Sequence, residues 1–345
     1  MKKEWETVVS RSSHFRRKIL LLLTIFIGLF LFAFSFGRYS VPFEKVIKIL
    51  LSIFFPIEES WDYNMEIAVL NIRFPRVLLA SMVGACLAVA GSSFQSAFYN
   101  PMSSPDILGA TSGAAFGAAL AIILGLNRRM VILFAFFFSL ATVALVYLIS
   151  KFARGDKVIG ILLAGIMVSS IFSAGVSYLK LVADPTNQLP EITYWLMGSF
   201  NGSTFEDVAY AFYPMLMGLI PLFLLRWRIN MLTLGDDEAE TLGINTRLLR
   251  FVIILASSLI TAVSVSASGM IGWVGLVIPH LARRVVGNDC RYLLPASFIM
   301  GAGFLLLVDT VSRNLLAVEI PIGILTSLIG APFFLYLMTR KESVV

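Results

Sequence analysis

Apolar runs of about 20 residues recur from one end of this chain to the other, and they narrow the folds open to it. In hydrocarbon every backbone N–H and C=O needs a partner within the protein, so a chain built of such runs folds as a bundle of α-helices. The composition agrees: 58% of the 345 residues are hydrophobic and 14% are charged, against about 45–50% and about 25% in soluble domains. The expectation is an all-α, polytopic membrane protein, with residues 1–345 forming one transmembrane domain.

Ten spans are expected, near 19–36, 75–98, 107–126, 129–150, 158–182, 207–225, 248–267, 271–281, 294–314 and 322–339. The first run is longer than a signal-peptide core and has no small-x-small cleavage site, so it reads as an uncleaved helix behind a basic tail, 1–18. The segment 41–55 has the pattern of an amphipathic helix at the membrane interface. Residues 183–206 carry Pro185, Pro190 and Gly202 and read as broken structure at a membrane face. The eighth span is too short to cross alone. Its neighbourhood holds Gly269, Gly272, Gly275 and Pro279, and backbone exposed there must be buried in protein or line a cavity.

Ten crossings leave both termini on one side. On that assignment 18 of the 27 Lys and Arg fall on the terminal side and nine on the other. Basic loops favour the cytoplasm, so both termini are expected there, in a bacterial or archaeal cytoplasmic membrane. The net charge of +6 follows from those loops and points to the bilayer, not to nucleic acid.

Residues that carry chemistry are scarce. No Gly-x-x-x-x-Gly-Lys-Ser/Thr loop is present, so the chain has no nucleotide cradle of its own. The two histidines, His14 and His280, and the two cysteines, Cys86 and Cys290, lie far apart and suggest no catalytic set, metal site or disulfide. Asp309 and Arg313 sit four residues apart inside the ninth span, a spacing that suits an intrahelical ion pair. Ion-driven transporters usually keep several ionisable groups within their spans. Their scarcity here weighs against a stand-alone secondary porter, which remains the alternative reading because sodium can be held by backbone oxygens. Gly109, Gly113 and Gly117 share one helix face, and Gly84 and Ala88 repeat that spacing, as close helix packing in lipid requires.

The polar island at 226–250, RWRINMLTLGDDEAETLGINTRLLR, is the exception. It holds eight charged residues. Asp236 is expected to cap a short helix, with Asp237 and Glu238 in its first turn, where negative charge is favoured. Ala239 and Leu242 would share a face, Gly243 would stop the helix and Asn245 would cap the next one. With an interrupted span, no nucleotide site and few coupling groups, the chain needs an external engine, and a structured cytoplasmic island is a place to attach one.

Four blocks carry a resemblance that spans nearly the whole chain: RFPRVLLASMVGACLAVAGSSFQSAFYNPMSSPDILG at 73–109, YWLMGSF at 194–200, NMLTLGDDEAETLGI at 230–244, and GWVGLVIPHLARRVVGNDCRYLLP through EIPIGILTSLIGAPFFLYL at 272–337. In these the chain resembles the permease subunits of ABC importers for iron chelates (siderophores, haem) and vitamin B12. The resemblance implies ten helices with cytoplasmic termini, a second permease (an identical copy or a paralogue), two ATPase subunits and an extracytoplasmic substrate-binding protein. It implies no enzymatic activity and no cofactor in this chain, since ATP and magnesium would sit on the ATPase. Molybdate and tungstate, carried by related permeases, are further candidate solutes.

The resemblance also implies roles for residues. The segment 230–244 would form two short helices seated in a cleft of the ATPase, which makes Leu234, Gly235, Asp236, Asp237, Glu238, Ala239, Leu242 and Gly243 the coupling residues. Arg226, Arg228, Arg247 and Arg250 would mark the membrane edge. Arg73 and Arg76 of the Arg-x-Pro-Arg motif, with Arg313, would meet glutamates of the binding protein. Asn100, Pro101 and Met102, and more loosely 157–161, would line the cytoplasmic end of the pathway, although Val158 and Ile159 stand where a small polar residue can occur.

Overall fold

The computed structural model describes residues 2–152 and 157–339, and the described residues are helical almost throughout. Thirteen helices follow in order. They are α1 (Lys2–Ala33), α2 (Phe43–Ser52), α3 (Tyr63–Ala97), α4 (Ala110–Ile123), α5 (Arg128–Ser150), α6 (Lys157–Val182), α7 (Gln188–Met197), α8 (Phe205–Leu232), α9 (Asp236–Thr241), α10 (Thr246–Ser268), α11 (Val274–Val286), α12 (Cys290–Asn314) and α13 (Ile322–Thr339). Six of these, α3, α5, α6, α8, α10 and α12, are long and apolar enough to cross a membrane by themselves. The helices α1, α4, α11 and α13 fill the remaining places in the expected order of ten.

Helix α3 is the axis of the bundle. Nearly all of its residues from Pro75 to Ala97 are buried, and α8, α10, α11 and α12 pack around it. Small residues make this possible. A Cβ on Gly84 would overlap the carbonyl of Gly301 in α12, and one on Gly91 would overlap Gly275 in α11. The Gly113 and Gly117 face of α4 meets Phe138 and Phe134 of α5 in the same way, the packing role that the spacing suggests. Helix ends are fixed locally. Asn127, Thr204, Asn245 and Asp289 accept backbone N–H bonds at the starts of α5, α8, α10 and α12. The interfacial helix is α2, which buries Val46 and Ile49 and turns the Lys48–Glu44 pair outward.

Several boundaries differ from the sequence reading. The tail 1–18 is no separate segment, because α1 begins at Lys2. The third span is the 14-residue α4, preceded by a 3₁₀ turn at Pro105–Leu108 and by Gly109 at φ +78°. The eighth begins at Val274, after Trp273 at φ +70°, and runs to Val286, where Gly287 at φ +75° stops it. At about 1.5 Å per residue neither α4 nor α11 covers a ~30 Å hydrocarbon core. Non-helical backbone completes both crossings. At 269–273 it is pressed against 197–199 and 321–323: the Ser199 N–H donates to the Ser268 carbonyl at 2.8 Å, and the Ile322 N–H to the Gly198 carbonyl at 2.9 Å.

The island is narrower than expected. Arg226 and Arg228 lie inside α8, and Arg247 and Arg250 inside α10, leaving 233–245 as the connection with α9 within it. Hereafter the side of the bundle holding this connection is the island end.

Candidate functional site

Two polar clusters stand at opposite ends of α3. The one far from the island grows from a helix defect. Pro75 has no N–H to donate to the carbonyl four residues back, and its ring crowds that carbonyl. The preceding turns widen into a π-helical stretch at Ile67–Arg73, a known way to absorb such a conflict. Arg73 and Arg76 then both point inward and are only 4% and 5% exposed, and Arg313 is 6% exposed.

Each of the three arginines has partners within the chain. Arg76 sits 2.9 Å from Asp309, and its fork donates to both oxygens of Glu319 at 3.1 and 2.9 Å. Arg313 pairs with Asp309 at 3.2 Å, with Nε too poorly aligned for a hydrogen bond. Two carboxylates cannot neutralise three guanidinium groups. The remainder is met by the C-terminal end of α1, where backbone carbonyls are unpaired and the helix dipole is negative. Arg73 donates to the carbonyls of Phe34 and Tyr39, and Arg313 to those of Ala33 and Phe36. The Asp309–Arg313 pair expected from spacing is therefore present, but as part of a five-residue cluster. Docking of a partner through Arg73, Arg76 or Arg313 would need these contacts to open. Glu319 is the accessible member, 26% exposed.

Glu319 also borders a cavity of about 730 Å³. Tyr194 and Trp195 of α7, Ser199 and Asn201, and Ser266 to Gly269 form much of its wall, with Arg38 and Arg128 at its charged edge. Unwound backbone near Gly269 does line a cavity, as its glycines suggested. Gly272, Gly275 and Pro279 lie away from it.

At the island end, Gly235 and not Asp236 caps α9. Its φ of +121° lets the chain turn there, and the Glu238 carboxylate leaves no room for a Cβ. Asp236 is freed for an ion pair. Arg250, reaching from α10, donates Nη1 and Nη2 to the two oxygens of Asp236 at 2.6 and 2.5 Å. Its Nε donates to the carbonyl of Ala97, the last residue of α3, at 3.1 Å. Arg250, expected at the membrane edge, thus joins three helices. No local motif could have revealed it, since Asp236 and Ala97 are distant in sequence and meet only in the fold.

Ala239 is fully buried, whereas Leu242 is 59% exposed. They do not share a buried face, because the helix ends at Thr241 and Leu242 already follows a different backbone course. Asp237, Glu238 and Leu234 are exposed, Gly243 at φ +80° ends the turn, and Asn245 caps α10 as expected. One short helix occupies the segment where the resemblance implies two, since Asn230–Leu232 continue α8.

The Asn100 turn lies beside this helix. Its side chain accepts from the Met102 N–H at 2.9 Å and its carbonyl from the Ser103 N–H at 3.0 Å. Pro101 and Met102 are exposed. Tyr99 takes a φ of +53°, and burial, with the carboxylates of Glu238 and Asp236 nearby, raises its phenol above the usual range. Of the looser pathway segment, 157–161, the side chains of Lys157 and Val158 lie outside the described residues, while Ile159 is exposed.

Comparison with known proteins gives consistent results. The profile described as the FecCD transport family matches residues 22–340. The molybdate import system permease protein MolB of Haemophilus influenzae is 41% identical over 316 residues, covering 92% of each chain. A probable iron chelatin transport system permease protein of Helicobacter pylori is 40% identical over 312 residues, covering 90% of this chain and 94% of its own. Among solved structures, an inward-facing conformation described as of metal-chelate ABC transporter type superposes with a TM-score of 0.84 at 38% identity, over 94% of this chain and 99% of that one.

Proposed function

Because the chain belongs to the FecCD transport family, we propose that it is the membrane-spanning permease subunit of an ATP-driven importer that brings a metal chelate into the cytoplasm. The observation that carries this reading is the family match across all ten crossing helices, joined to a short acidic helix held firmly at the island end. The chain has no nucleotide cradle, so hydrolysis falls to a separate ATPase pair seated on α9. Leu234, Gly235, Asp236, Asp237, Glu238, Ala239, Leu242 and Gly243 form or shape that seat, with Asp237 and Glu238 facing outward from it. The island end is cytoplasmic, on the lysine and arginine count. A second permease, identical or paralogous, completes the pathway.

A binding protein docks at the opposite end. Arg76 takes part through Glu319, whose hold on its fork a partner carboxylate would replace, and Arg73 and Arg313 flank it in the same cluster. Substrate passes the aromatic and hydroxyl-lined cavity, moves between the two permeases and leaves past Asn100, Pro101 and Met102. Transport is alternating access: ATPase closure moves α9, and the helices around α3 rock.

Iron chelates, siderophores or haem, are the favoured solutes. The breadth of the cavity and its Tyr194 and Trp195 wall suit a bulky, partly apolar ligand. The name of the Haemophilus relative supports a second reading, molybdate, and cobalamin is a third within the same class. Co-expression with candidate ATPases tests the assignment. A stable complex of permease and ATPase is expected, and a permease that purifies alone and moves solute without ATP would overturn it in favour of an ion-driven porter.

A further inference from the structure

We propose that Arg250 is a positioning residue that carries movement from α9 into α3, and so sets how much transport each ATP produces; this rests on the importer reading above. Three observations lead there. First, Arg250 uses all three of its guanidinium nitrogens across three helices: Nη1 and Nη2 on Asp236 at the start of α9, and Nε on the Ala97 carbonyl at the end of α3, from a side chain rooted in α10. Second, α9 is otherwise lightly held. Ala239 is its one buried residue, and among the described residues the one further side-chain bond that ties it to another helix runs from the Thr246 hydroxyl to Glu240 at 2.9 Å. Third, α3 is the axis on which the neighbouring helices pack, and its far end carries the Arg76 cluster.

A guanidinium is suited to this task. Its planar fork fixes the orientation of the Asp236 carboxylate, and the remaining N–H satisfies one of the four carbonyls that a helix C-terminus leaves open. Force applied to α9 then reaches α3 through one rigid group. A lysine could hold one of these partners but not fix all three bonds in a plane. Among the described residues no other cation of the island makes such a set of bonds; Arg247, on the same helix, is exposed.

The test uses the assembled complex of permease, ATPase and binding protein in vesicles, given radiolabelled iron(III) trihydroxamate or radiolabelled molybdate as solute. ATP hydrolysed per solute imported is measured for the native protein, Arg250→Ala, Arg250→Lys and the control Arg247→Ala. Both Arg250 variants are expected to assemble and hydrolyse ATP while the ratio rises about fivefold or more, the smallest usual size of an energetic coupling between sites. Arg247→Ala is expected to match the native ratio. A purely structural role would lower the yield of complex and leave the ratio unchanged. An assembled Arg250→Lys complex with the native ratio overturns the proposal, whether or not Arg250→Ala assembles, and so does an equal rise in Arg247→Ala. If the native permease assembles with no ATPase, or its uptake proceeds without ATP, the importer reading itself fails.

Discussion

Asp309 is fully buried and faces both Arg76 and Arg313. Removing its charge would leave Arg313 with no paired carboxylate and Arg76 with Glu319 alone, and breaking a buried pair this way costs about 3–5 kcal/mol. Asp309→Asn is therefore expected to lower the melting temperature of the detergent-solubilised protein markedly. Glu206→Gln, which breaks the exposed Arg129–Glu206 pair, is expected to cost about 0–1 kcal/mol; equal melting shifts for the two would contradict the cluster's structural role. The same reasoning applies to Arg73→Glu with Arg76→Glu. A solvent-facing pair would tolerate reversal, but here the folded yield is expected to collapse. Sequence made the Asp309–Arg313 spacing legible because the two residues share one helix. It could not reveal that Arg76, Glu319 and the end of α1 complete the cluster, since the contacts of Arg76 with Asp309 and Glu319, and of Arg313 with the end of α1, join segments more than 200 residues apart. Leu242 illustrates the opposite difficulty: helical periodicity placed it beside Ala239, but the helix stops one residue earlier.

At the scale of elements, the glycine crossings are decisive. A side chain on Gly84 would drive α3 from α12, because the nearest atoms are the backbone of Gly301. Gly84→Val is expected to lose about 1–3 kcal/mol of stability through overpacking. Gly28→Ala, in α1 with nothing within 4 Å of the new carbon, is expected to be neutral or to gain about 0.5–1 kcal/mol from its better helix propensity. Thermal unfolding of the two variants in one detergent checks the contrast, and a tolerated Gly84→Val would rule out the close crossing. The order of the helices was legible because apolar runs and their length are imposed by the bilayer. The short α4 and α11 were harder, since 3₁₀ turns and left-handed residues such as Trp273 leave no periodic trace. The island looked wider than it is because the facing ends of α8 and α10 themselves carry charged side chains, Arg226, Arg228, Arg247 and Arg250.

In the whole molecule, one helix joins the two polar ends. Arg76 fixes one end of α3 to α12 and to the segment leading into α13, and Arg250 fixes the other end to α9. A movement that begins at the island therefore has a continuous packed route to the cavity beside Glu319. Whether this bundle is driven by ATP through a partner or by an ion gradient is decided by uptake into sealed vesicles containing the native complex. Uptake of the solute is expected to require ATP and magnesium on the ATPase side and to persist when ionophores abolish every ion gradient. Uptake that continues without ATP and collapses with the ionophores would contradict the ATP-driven reading.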